Sequence, residues 1–321
     1  MRACGFLILS LFASCTLTAR TTYFPFGKST IALLDSADAA DLSKQPDAYT
    51  AEHTPFDRAV RLGRSDATEA DYLAASAANV RNWSATEVAS LQAAFTALDK
   101  KATADRLDLH LPDTIQLIKT TAVEEFGAEG WTRAARIMLN PTAQPISTHL
   151  VAHELWHVIS RYNAGLRTYT YATFGFKPCN KVVYKPAMHN RVITNPDCPI
   201  IEHYITVKDA NGIPHDAALM LYSKTDFRPG HTSLGDYAAV GLLELTGDDT
   251  HKAPLLKNGE PVVLELETVP DFFAQVGTNT EYMLHIEEIS AEHFAALMAG
   301  EPLPQMRYVE GLKRLLLKQN H

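Results

Sequence analysis

Apolar positions recur at helical spacing in some stretches and alternate in others. Residues 55–62 (PFDRAVRL) predict a short helix with proline in its first turn. Residues 67–79 are alanine-rich and predict a second helix. Ser84 and Glu87 form a capping box, after which Val88, Leu91, Ala94, Phe95 and Leu98 follow on one helical face. Pro112-Asp113 then breaks the pattern. Residues 114–121 and 134–139 read as two strands, expected to be antiparallel, with Gly127 and Gly130 turning between them. Ser147 caps a predicted helix over 148–162, and the aromatic, proline-rich stretch up to about 207 reads as strand-like. Residues 217–222 and 237–245 fit either short helices or strands. Residues 261–267 alternate as a strand, and 286–298 and 302–318 predict helices. The fold class expected is α+β.

The 321 residues allow one large domain or two small ones, enough to bury a sizeable core without cross-links. A net charge of −8 argues against a nucleic-acid partner. No run reaches the roughly 18 apolar residues of a spanning helix.

Residues 3–13 (ACGFLILSLFA) after Met1-Arg2 make a short apolar core of the kind an export signal carries. The run ends Phe12-Ala13-Ser14-Cys15 and resembles a bacterial lipoprotein box, with Phe12 where that box usually has Leu. The resemblance implies a signal over 1–14, lipidation of Cys15 and a membrane-anchored protein of the periplasm or cell surface. Cleavage near Ala19 would instead give a secreted protein. Cys4 would leave with the signal. Cys179 and Cys198 would remain, in a compartment that permits a disulfide between them, worth about 3 kcal/mol. The alternative, half of a zinc site, lacks the C-x-x-C spacing.

Residues 151–158 (VAHELWHV) contain H-E-x-x-H. On a helix His153 and His157 project about 40° apart, one turn above the other, so both imidazoles can bind one metal ion. Glu154 is rotated by about 100°, close to the metal without being a ligand, where it can take a proton from water. With 13 histidines in the chain, chance gives such a pattern about 0.03 times.

With this motif the chain resembles the zincin metallopeptidases. Ser160 and Asn163 do not match the metzincin continuation, and Gly277-Thr278-Asn279-Thr280 lacks the aspartate of the aspzincin pattern. The gluzincin branch, thermolysin-like, carries a Glu on a later helix with an acid four residues on. Glu288 and Glu292 offer that pair, whereas Glu287 has Ala291 at the same spacing and is expected to point about 100° away. The resemblance implies Zn²⁺ held by His153, His157 and Glu288, with Glu292 orienting a ligand histidine. Tyr282, His231 and His285 are the groups considered for stabilising an oxyanion. The connection from His157 to Glu288 is far longer than in thermolysin, and the resemblance leaves the first hundred residues uncovered.

The chain is therefore expected to divide into a signal (1–14), a tether with a mostly helical segment (15–110), and a zincin-like catalytic domain (111–321) with a long insertion over 163–280. Its expected function is zinc-dependent hydrolysis of peptides or proteins in the envelope or outside the cell. The alternatives are another zinc amidase of the envelope and a non-catalytic envelope protein using the fold as scaffold.

Overall fold

A computed structural model describes residues 20–143 and 145–317. The signal, Cys4 and the lipidation position Cys15 lie outside the described residues. The chain folds as a mixture of helices and sheets. In the first half, β1 (Thr22–Phe26), β2 (Ser29–Leu33), α1 (Ser36–Ser43), α2 (Pro55–Leu62), α3 (Glu69–Asn79), β3 (Val80–Arg81) and α4 (Ala85–Ala104) precede β4 (Thr114–Thr120), β5 (Gly130–Arg133) and β6 (Arg136–Leu139). Then come α5 (Thr148–Tyr162), α6 (Ala164–Ala172), β7 (Phe176–Pro178), β8 (His203–Lys208), β9 (Pro214–Ser223) and β10 (Ala238–Thr246). Short strands β11 (Ala253–Pro254), β12 (Leu256–Lys257), β13 (Glu260–Pro261) and β14 (Val263–Leu264) lead to α7 (Pro270–Val276), α8 (Ile286–Ala299) and α9 (Met306–Leu316).

The first sheet runs β1-β2-β4-β6-β5, with β3 beside β4. β4 and β6 are parallel, not antiparallel. The four-residue strand β5, which the sequence reading took as turn, forms a hairpin with β6 and reverses its direction. The N-terminal region carries the predicted helices α2, α3 and α4, with α1 in addition, and also strands. Part of the supposed tether is β1, and β2 pairs in parallel with β4, so the first residues build the same sheet as the motif region.

A second sheet is the antiparallel series β7-β8-β9-β10-β11 with β14 on β10, and β12 and β13 pair separately. The stretch 217–222 is strand, and 261–267 is broken into β13, β14 and a short 3-10 turn. α6 is helical where a strand-like stretch was expected. Its segment supplies Tyr171, Phe174 and Phe176 to the core of the second sheet, while Tyr169 is exposed.

α5 packs along α8 and against β5 and β6. α8 joins both cores. Ile286 and Ile289 belong to the second, and Phe294, Ala295 and Met298 to the first, where Phe294 meets Trp156 of α5 at 5.5 Å between ring centroids. Burying aromatics of this size contributes about 1.5–3 kcal/mol each, so the α5–α8 contact is firmly held. No helix among the described residues is long and apolar enough to cross a membrane.

Candidate metal centre

Ser147 starts α5 by accepting the backbone N–H of Leu150 at 3.0 Å, which sets the register of the following turns. His153 and His157 then lie on one face with ring centroids 4.9 Å apart. That face meets the first turns of α8, which His285 caps by accepting the N–H of Glu287. All three side chains expected as ligands converge: one ligand atom each of His153, His157 and Glu288 lies within 4.8 Å of the others. Nε2 of His153 stands 3.1 Å, and Nε2 of His157 3.5 Å, from Oε2 of Glu288. These three buried groups could hold a metal ion.

The far nitrogens are taken by carboxylates. Nδ1 of His153 is 2.9 Å from Glu292, and Nδ1 of His157 is 2.9 Å from Glu287. A carboxylate only accepts, so each Nδ1 carries a proton and each Nε2 faces the centre. Glu292 thus stands where the sequence placed it. Glu287 does not point idly away, as helix geometry on α8 alone suggested. It is fully buried and is also bonded by the hydroxyls of Ser160 and Tyr171. The two helices cross closely enough for successive residues of α8 to reach successive turns of α5.

Three further groups that no sequence motif singles out adjoin the cluster. Asn195 donates from Nδ2 to Oε1 of Glu288 at 2.6 Å. Asp197 places Oδ1 3.9 Å from Nε2 of His157 and accepts the backbone N–H of Thr132 at 2.6 Å. Thr132 donates its hydroxyl to Oε2 of Glu154 at 2.9 Å. Glu154, His157 and Asp197 form a second close group of ligand-type atoms, which puts the Glu154 carboxylate beside the His–Glu cluster. Pro196 and Asp197 form a bend, and no local pattern in the sequence marks it as part of a site. Gly130 lies against Glu154, so a Cβ there would come within 2.7 Å of Oε1 and displace the carboxylate.

Burial and charge pull on these groups in opposite directions. Burial would lower His153, but its bonds to Glu288 and Glu292 prevail and push it up to about 10. His157 also rises, against its burial, through the charges of Asp197 and Glu288 and the bond to Glu287. Burial would raise Glu292, but His149 and His153 bring it down to about 2. For Glu154 burial wins over the two histidines, and its carboxyl is raised above the usual range.

The weaker expectations divide. The Tyr282 ring is half-exposed and 5.9 Å from that of His153, so it borders the centre. His231 takes no part in the cluster; its ring pairs with Asp236 at 3.3 Å on an exposed loop. His285 is tied to its capping role, and burial lowers it to about 4. The expected disulfide is not formed. Cys179 and Cys198 are both free, Cys179 packing against the core of the second sheet and Cys198 lying behind the centre near Glu287 and Glu288.

No family model matches the chain, and no curated protein and no solved structure is similar to it.

Proposed function

We propose that the protein is a zinc-dependent hydrolase of the gluzincin type, most simply a peptidase acting on peptide or protein substrates in the cell envelope or outside the cell. One observation carries the reading. Nε2 of His157 is buried without a hydrogen-bond partner and stands 3.5 Å from Oε2 of Glu288, in a group where one ligand atom each of two imidazoles and a carboxylate lies within 4.8 Å of the others. A divalent cation there would replace the protons that these carboxylates otherwise hold on the two rings. Ligands about 2.0–2.2 Å from a tetrahedral zinc are about 3.3–3.6 Å apart, close to the separations of 3.1 and 3.5 Å. The donor set, two imidazoles and one carboxylate, suits zinc and leaves a position open.

Zinc held there would supply Lewis acidity and lower the pKa of water to about 7. The remaining work falls to the chain. Glu154, held by Thr132, takes a proton from water and returns it to the leaving amine, and its raised pKa suits that exchange. Glu292 and Glu287 keep both histidines in the Nδ1–H tautomer. Tyr282 borders the centre from its open side and donates to the developing oxyanion. A small cleft beside the centre is bordered by Gly130, Trp131, Asn195, Asp197 and Tyr282. Export and lipidation at Cys15 remain part of this proposal on the sequence alone.

Digestion of casein and of peptidoglycan by the zinc-loaded protein tests the reading. Cleavage of casein supports a peptidase, cleavage of peptidoglycan alone makes it an envelope amidase, and hydrolysis of neither favours a scaffold.

A further inference from the structure

We infer that Asn195 is a positioning residue for the third metal-binding group, and that helix α2 holds it in place. The inference deepens the proposed reading and rests on the centre being a metal site. Glu288 has two oxygens and the cluster uses one. Oε2 faces both histidines, while Oε1 accepts from Nδ2 of Asn195 at 2.6 Å. A carboxylate so divided binds a metal through one oxygen and cannot swing to bind through both. The Asn195 amide cannot flip without loss, because its Oδ1 accepts the backbone N–H of Asp197 at 2.9 Å.

The segment bearing Asn195 is strapped at both ends. On one side, Thr194 gives its N–H to Oδ1 of Asp57 at 2.7 Å, and its carbonyl accepts Nη2 of Arg61 at 2.7 Å. Asp57 and Arg61 belong to α2, are both buried, and pair with each other at 3.0 Å. Arg61 is fixed in turn by Glu125 at 3.1 Å, on which the hydroxyls of Tyr49 and Tyr72 converge. On the other side, Asp197 accepts from Thr132 of β5, and its carbonyl accepts from Arg161 of α5 at 3.0 Å. A buried ion network of this kind is weak evidence for stability but good evidence for a fixed geometry. The N-terminal region thus reaches the metal centre through two consecutive residues, Thr194 and Asn195.

The test uses the purified protein stripped with a chelator and titrated with zinc alone. Asn195→Ala should weaken zinc binding by about 10–100-fold, the range for losing a group that orients a ligand. The isosteric Asn195→Asp should weaken it at least as much, because it keeps the shape but turns a donor into a second carboxylate against Glu288. Cobalt(II) in place of zinc should show a weaker visible d–d band in Asn195→Ala, as Glu288 becomes free to bind through both oxygens. Asn180→Ala, which disturbs a loop contact to Lys252 elsewhere, should change neither reading. Arg61→Lys loses the fork to Asp57, Glu125 and Thr194. It should lower zinc affinity in the natural background but add little to Asn195→Ala, since both act through one path. Asp57→Asn serves the same purpose if Arg61→Lys does not fold. Unchanged zinc affinity and cobalt spectrum in both Asn195 variants would overturn the inference while leaving the metal centre standing. Equal losses from the anchor variant in both backgrounds would overturn the link to α2. A natural protein that takes up no zinc would overturn the reading beneath both.

Discussion

Glu287 and His157 are joined by a 2.9 Å contact from carboxylate to Nδ1 in a setting closed to water. The neighbouring residue, Glu288, faces the other nitrogen of the same ring at 3.5 Å. One turn of α8 therefore holds a histidine from both sides, with one carboxylate on Nδ1 and the next facing Nε2 across a group that could hold a metal ion.

This arrangement orders the effects of three substitutions. Glu288→Ala should strip most of the metal, since two imidazoles alone make a weak, open site. Glu287→Ala and Glu292→Ala should each weaken binding by about 10–100-fold, by freeing the ring each one orients. Zinc titration of the three variants checks the order. Full affinity in Glu287→Ala would show that the His157 contact orients nothing.

The sequence made α5 legible to the residue, because Ser147 caps it and the apolar positions repeat with the helical period. α2 and the Ser84 capping box were equally plain, their signals being local. Elements whose signals conflicted were not. Threonine and tyrosine in α6 favour a strand, and packing against β7, α8 and α9 overrides that preference. β5 is only four residues long and begins with Gly130, so it passed for a turn, and the pairing sense of β4 and β6 was inverted with it. At the centre, His153, Glu154, His157, Glu288 and Glu292 could be read from their spacing. Glu287, Asn195, Asp197 and Thr132 could not, because they come together only when the two helices cross and the loop before β8 folds back.

Stability of the chelator-treated protein should depend on pH through His153. Its pKa rises from 6.5 to about 10 on folding, so the folded state binds this proton more tightly. The resulting stabilisation is fully present below about 6.5 and is lost as pH rises towards 10. Glu292, lowered from 4.5 to about 2, acts in the opposite direction, its contribution being lost as pH falls through that range. Thermal melts from pH 2 to 10 should therefore peak between these windows. Zinc affinity should rise over the upper one, where the metal no longer competes with the His153 proton. A melting temperature that climbed steadily from pH 6.5 to 10 would contradict the assignment.

Gly130→Ala offers a test of how Glu154 is held. The glycine has no left-handed backbone to protect, so the added methyl acts only by its contact with the Glu154 carboxylate, 2.7 Å away. Zinc content should stay full while kcat falls by roughly 10–100-fold, the cost of a misplaced catalytic group. Loss of metal with activity would instead place the damage at the ligands.

The most direct measurement compares the zinc-loaded protein with its Glu154→Gln variant on a peptide library read by mass spectrometry, with metal content measured on the same samples. Gln keeps the shape and can accept from Thr132, but it cannot take a proton from water. The account predicts one zinc per chain in both proteins and peptide cleavage at least about 10²-fold slower in the variant. Cleavage at equal rates in the two, or no cleavage by the zinc-loaded natural protein, would contradict it.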